Sequence, residues 1–93
     1  MIRSFADAET QRIWDGERSR KLPHDIQNRV LKLLTLIEAA EKLSDLAVPP
    51  GNRLHALKDD RAGQHSVSIN MQYRICFVWR DGGADDVEIT DYH

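Results

Sequence analysis

Ninety-three residues with 13 Lys and Arg against 15 Asp and Glu, a formal net charge of −2 and 41% hydrophobic side chains describe a chain able to bury one small core. The single cysteine, Cys76, has no partner for an internal disulfide, and no apolar run reaches the roughly 20 residues that a membrane span requires. A disulfide-stapled scaffold and a membrane-spanning protein are thereby excluded, and the expectation is a single domain over residues 1–93 in the reducing cytoplasm, with Cys76 a small buried hydrophobe.

Met1 to Phe5 reads as a short first strand. Asp7, whose carboxylate can accept orphan amide hydrogens, predicts a brief helix through Trp14 that Gly16 ends. Pro23 suits the first turn of a second helix, where its fixed φ is helical and its missing N–H is not needed. Ile26, Val30, Leu33, Ile37 and Ala40 then recur at intervals of four, three, four and three residues, which makes one helical face apolar. Leu34 widens that stripe while Glu38, Glu41 and Lys42 occupy the remaining surface, so this helix is expected to lie on a sheet and to stop near Leu43. Pro49-Pro50-Gly51 bars continuation and leads into strand-like segments beginning at Leu54 to Leu57. His65 to Ile69 alternates, a turn follows around Asn70-Met71, and Tyr73 to Trp79 is rich in β-branched and aromatic residues, which together predict a hairpin. Asp81-Gly82-Gly83 supplies a second hairpin turn into Val87 to Tyr92. The expected fold class is α+β, with two N-terminal helices packed on a curved, mainly antiparallel β-sheet.

Alternation along the strand from Tyr73 puts Tyr73, Ile75, Phe77 and Trp79 on one face and Arg74, Cys76 and Val78 on the other. The larger aromatic and branched set is the better core, which leaves Arg74 on the open face. His55 and Lys58 would face opposite sides of a regular strand, so they share a site only if the strand bends between them or Lys58 reaches in from a loop. The chain closes on Asp91-Tyr92-His93, an acid, a phenol and an imidazole where small solubilising residues are usual. The negative total argues mildly against nucleic-acid binding, yet Arg18, Arg20, Lys21, Arg29 and Lys32 form one basic stretch and Arg53, Lys58, Arg61, Arg74 and Arg80 another. A basic concave face with an acidic rim is compatible with that distribution. His24, His55, His65 and His93 lack the short spacing of a zinc site, and Ser66 and Ser68 lack a nucleophile-elbow context. No metal and no cofactor is expected.

The block from Pro49-Pro50-Gly51-Asn52-Arg53-Leu54-His55 to Tyr73-Arg74-Ile75-Cys76-Phe77, joined to the Asp91-Tyr92-His93 ending, resembles the HigB toxins, a branch of the RelE-like bacterial toxin superfamily. The likeness runs over essentially the whole chain. It implies the RelE-like microbial RNase fold and a ribosome-dependent endoribonuclease that cleaves translated mRNA in the decoding site. It also implies a HigA-like helix-turn-helix antitoxin as partner, with operator DNA contacted only through that antitoxin. In the family, the positions matching His55, Asp91, Tyr92 and His93 belong to the active site, and those matching Lys58 and Arg74 contact phosphate.

RNA cleavage by an internal 2′-hydroxyl needs a base for that hydroxyl, an acid for the leaving 5′-oxygen, and cations for the charge that grows on the phosphate. Imidazole ordinarily titrates near pH 6.5 and suits either proton transfer, so His55 and His93 are candidates for both roles. Asp91 can accept a proton or orient an imidazole, Tyr92 can hydrogen-bond phosphate or stack a base, and Lys58, Arg74 and Arg61 can hold the scissile phosphate. Two departures from the family pattern bear on activity: Gln72 stands before the Tyr73-Arg74 pair, and Asp59-Asp60 adds negative charge after Lys58. They support an alternative, a diverged and weakly active or non-enzymatic relative that keeps the antitoxin or ribosome contact.

Overall fold

The apolar stripe of the second helix decides the architecture. Ile26, Val30, Leu33, Leu34 and Ile37 are all buried and form one cluster with Val67, Ile69, Ile75, Phe77, Ala84 and Val87. In the computed structural model, which describes residues 1–91, helices α1 (Ala8–Trp14) and α2 (His24–Ala39) pack on a four-stranded antiparallel sheet. Its strands β1 (His55–Ala56), β2 (His65–Ser68), β3 (Tyr73–Arg80) and β4 (Gly83–Asp91) lie in sequence order. The expected α+β class with two helices on a mainly antiparallel sheet is the fold observed. Among the described residues, no helix is long and apolar enough to cross a membrane.

Local chemistry explains where the elements stop. After α1, Gly16 adopts φ 88°, the Gly16 amide donates to Ile13 O at 3.1 Å and the Glu17 amide to Arg12 O at 2.8 Å, a double closure that satisfies the last carbonyls. Helix α2 ends at Ala39, four residues before the expected Leu43, because the Asp45 carboxylate takes the next amides, Glu41 N at 3.0 Å and Lys42 N at 3.1 Å. Those two donors, Lys42 first, hold the Asp45 carboxyl below its ordinary pKa. A buried Gln27 fixes the loop between the helices, accepting from Ser19 N and donating to the carbonyls of Ser19 and Leu22.

The expected first strand is instead a pair of isolated parallel bridges, Ile2 with Ala84 and Phe5 with Val87. A β-bulge on β4 explains the interruption: Asp86 and Val87 together oppose Phe77, Asp86 sits at φ 54°, and its amide turns to Ser4 Oγ at 2.8 Å. The strand expected over Leu54 to Leu57 shortens to His55–Ala56. Both hairpins follow turn chemistry. Asp81 and Gly82 take φ 51° and 74°, the mirror-image turn that matches strand twist, and the Asn70 side chain accepts the amides of Gln72 and Tyr73.

Candidate functional site

Register assigns the faces of the sheet. His55 pairs with Ser66, Ser66 with Cys76 and Cys76 with Glu88, so these four side chains share one face. Ser68, Arg74 and Thr90 form the next rung on that same face. Val67, Ile75 and Ile89, with Phe77, occupy the other face and pack into the core. Arg74 is thus on the open side, as alternation predicts, half-buried between its strand neighbours.

The conflict between His55 and Lys58 is resolved by the shortness of β1. Pairing ends after Ala56, the Leu57 amide donates to Gln64 O at 2.9 Å, and the chain then leaves the sheet. Lys58 precedes a single 3₁₀ turn, Asp59–Arg61, that closes when Arg61 N donates to Lys58 O at 3.1 Å. Freed from strand parity, Lys58 lines an open cleft of about 490 Å³ together with His55, Leu57, Asp59, Asp60, Arg61 and Arg74. His55 and Arg74 also line an adjoining lobe of about 250 Å³ with Arg53, Leu54 and Ser66. The basic residues Arg18, Arg20 and Lys21 line a separate concavity with Glu9, Arg12 and Glu17.

Arg61 has a more specific environment than the sequence implied. Its Nη1 donates to Glu88 Oε1 at 2.8 Å and to Gln64 Oε1 at 2.9 Å, and the Glu88 bond raises its pKa above the ordinary arginine value. Arg61 therefore lines the cleft as a paired residue, latching the loop that carries Lys58 onto β4. Nothing in the sequence marks Glu88 as its partner 27 residues away, since either residue alone reads as a surface charge.

Asp91 ends β4 opposite Tyr73, and Gln72 Nε2 donates to its Oδ2 at 3.0 Å. Alternation places Asp91 with Tyr73 and not on the His55 and Arg74 face. Gln72, read as a departure from the family pattern, thus has a defined contact with an expected site residue. Tyr92 and His93, the other two residues expected from the ending, lie outside the described residues. The structure accordingly brings His55, Lys58, Arg61 and Arg74 to one cleft and sets Asp91 at the end of the sheet.

An open cleft rich in cations and one imidazole fits many anionic ligands, and comparison with known proteins narrows the choice. Residues 3–93 match a family described as the RelE-like toxin of the type II toxin-antitoxin system HigB. The chain belongs to the HigB-like toxin family. Toxin HigB-1 of Vibrio cholerae serotype O1 is 38% identical over 85 residues, which span 90% of each chain. Endoribonuclease HigB of Proteus vulgaris is 29% identical over 97 aligned residues covering 100% of both. The fold of this HigB-like toxin is similar to that of YafQ from E. coli strain BL21(DE3), with a TM-score of 0.59 over 99% of this chain and 94% of the other at 11% identity. As a toxin of a type II system it has an antitoxin as its partner.

Proposed function

We propose that this HigB-like toxin is a ribosome-dependent endoribonuclease that cleaves translated mRNA in the ribosomal decoding site and so inhibits translation. One observation carries the reading: His55, Lys58 and Arg74 line a single open cleft in a member of this family. The name of the Proteus vulgaris relative, Endoribonuclease HigB, agrees with it.

In the proposed reaction the 2′-oxygen attacks the adjoining phosphorus, a 2′-O–P bond forms, the P–O5′ bond breaks, and the products are a 2′,3′-cyclic phosphate and a 5′-hydroxyl. His55 exchanges one of the two protons involved. The other exchange is assigned to Tyr92 or His93, and Asp91, set at the end of the sheet and off the His55 face, is assigned the orientation of those groups and not the proton exchange. Lys58 and Arg74 stabilise the charge that develops on the phosphate oxygens, where an interaction stronger in the transition state than in the ground state accelerates the step. Arg61 supports this arrangement chiefly by holding the Lys58 loop through Glu88.

An open cleft formed by a few dispersed side chains gives little alignment of substrate, and alignment is worth several orders of magnitude in rate. The ribosome supplies it in this account. The antitoxin is a HigA-like helix-turn-helix protein, through which alone the operator DNA is contacted, and the pair acts in the cytoplasm. One observation favours a second reading, a binding module with little cleavage: Asp59 and Asp60 line the same cleft as Lys58. Mapping transcript ends in cells expressing the toxin separates the two. The nuclease leaves fresh ends at defined positions within translated frames, lost in His55→Ala, whereas growth arrest without fresh ends supports the binding module.

A further inference from the structure

The cleft extends beyond what one scissile phosphate requires. His55 and Arg74 stand where two lobes meet: both line the main lobe with Lys58, and both line the second lobe with Arg53, Leu54 and Ser66. An RNA linkage seated beside His55 and Arg74 therefore has space on either side of it, and a strand continuing into the second lobe passes Arg53.

Arg53 is held in an unusual way. Its backbone lies at φ 49°, ψ 54°, a left-handed conformation that residues with a Cβ rarely adopt. The surroundings impose it. Asn52 is only 1% exposed, its side-chain amide donates to the carbonyls of Leu46 at 3.3 Å and Val48 at 3.1 Å, and Arg53 N closes onto Pro50 O at 3.0 Å. A strained backbone fixed by buried hydrogen bonds is a feature that collects at ligand sites. Arg53 is exposed and among the described residues makes no ion pair; Arg18 and Arg20 share that property and the half-buried Arg29 also makes no ion pair, but of these four only Arg53 lines this lobe.

We propose that the second lobe is a subsite for the nucleotide adjoining the cleaved linkage, and that Arg53 binds the phosphate of the neighbouring linkage. The inference rests on the endoribonuclease reading above. A guanidinium presents its N–H groups as a planar fork that matches two phosphate oxygens, and Leu54 offers apolar surface beside it for sugar or base.

The test is a cycle between protein and messenger on programmed ribosomes. Messengers carry an uncharged methylphosphonate in place of the linkage on the 5′ or on the 3′ side of the mapped cut, and each is offered to the wild type, Arg53→Gln and Arg53→Lys. On one of the two sides the neutral linkage slows the wild type about tenfold, the effect of losing one hydrogen-bonded contact to a charged group. Arg53→Gln is slowed by a similar factor on the normal messenger and not further by the neutral linkage, and Arg53→Lys recovers part of the rate. Arg53→Gly, whose backbone accepts φ 49° without strain, keeps a cooperative melt and is equally slow. Multiplicative losses on both sides, or Arg53→Gln cutting at the wild-type rate while His55→Ala does not cut, overturn the subsite alone. A wild type that cuts no messenger overturns the endoribonuclease reading and the subsite with it.

Discussion

Arg61 is either an anchor of the Lys58 loop or a ligand of RNA, and a double-mutant cycle with Glu88 decides between these roles. The ion pair is 2.8 Å between nitrogen and oxygen, with side chains 33% and 26% exposed. Unit charges about 4 Å apart at an effective dielectric of about 20 attract by about 4 kcal/mol before desolvation. Partial exposure, screening and the entropy of fixing two long side chains reduce this to about 1–2 kcal/mol. Arg61→Ala and Glu88→Ala should each lower the melting temperature by about 5–15 °C, given the usual 4–8 °C per kcal/mol for a domain of this size. The double variant should lose less stability than the sum of the singles, by a coupling of about 1–2 kcal/mol. Urea unfolding of the four proteins measures it. Additive losses would refute the latch. So would an Arg61→Ala protein as stable as the wild type that no longer binds RNA.

His55 and Lys58 are exposed and carry no packing load, so His55→Ala should cost on the order of a hundredfold or more in cleavage and leave the urea midpoint within experimental scatter. Lys58→Ala should likewise act on the chemical step and not on the fold; a comparable loss of stability in either variant would move that residue from chemistry to structure. The Asp85 carboxyl is held below its ordinary pKa first by a hydrogen bond from Arg3, then by one from Arg80. Its stabilising contribution is therefore present in full above the unfolded value near pH 3.9 and is lost as pH falls through the lower folded value. Asp85→Asn should flatten the fall in stability below about pH 4 in urea titrations; an unchanged acid limb would contradict that assignment.

The fold was legible wherever one local pattern sufficed. The spacing of Ile26, Val30, Leu33 and Ile37 identified a helix on a sheet, the alternation from Tyr73 identified which side of β3 faces the core, and Asp81-Gly82 marked a hairpin turn. What escaped was set by partners far along the chain. Asp45 shortens α2 by capturing two amides, and the bulge at Asp86 limits the N-terminal segment to two bridges with β4. The candidate site divides in the same way. Residue types and family resemblance picked out His55, Lys58 and Arg74, but only the early end of β1 explains how Lys58 joins the other two. The Arg61–Glu88 latch, the Gln72–Asp91 contact and the left-handed Arg53 are tertiary facts with no local signature.

The central claim is that this HigB-like toxin cuts messenger RNA when the ribosome presents it. Purified wild-type protein, His55→Ala and a variant lacking His93 should be incubated with one messenger, free in solution and on programmed ribosomes, and the RNA ends mapped. The account predicts fresh ends at the decoding position with ribosomes, scarce cutting of free RNA, and loss of those ends in both variants. Intact messenger despite confirmed ribosome binding, or free RNA cut as fast as ribosome-bound RNA, would contradict it.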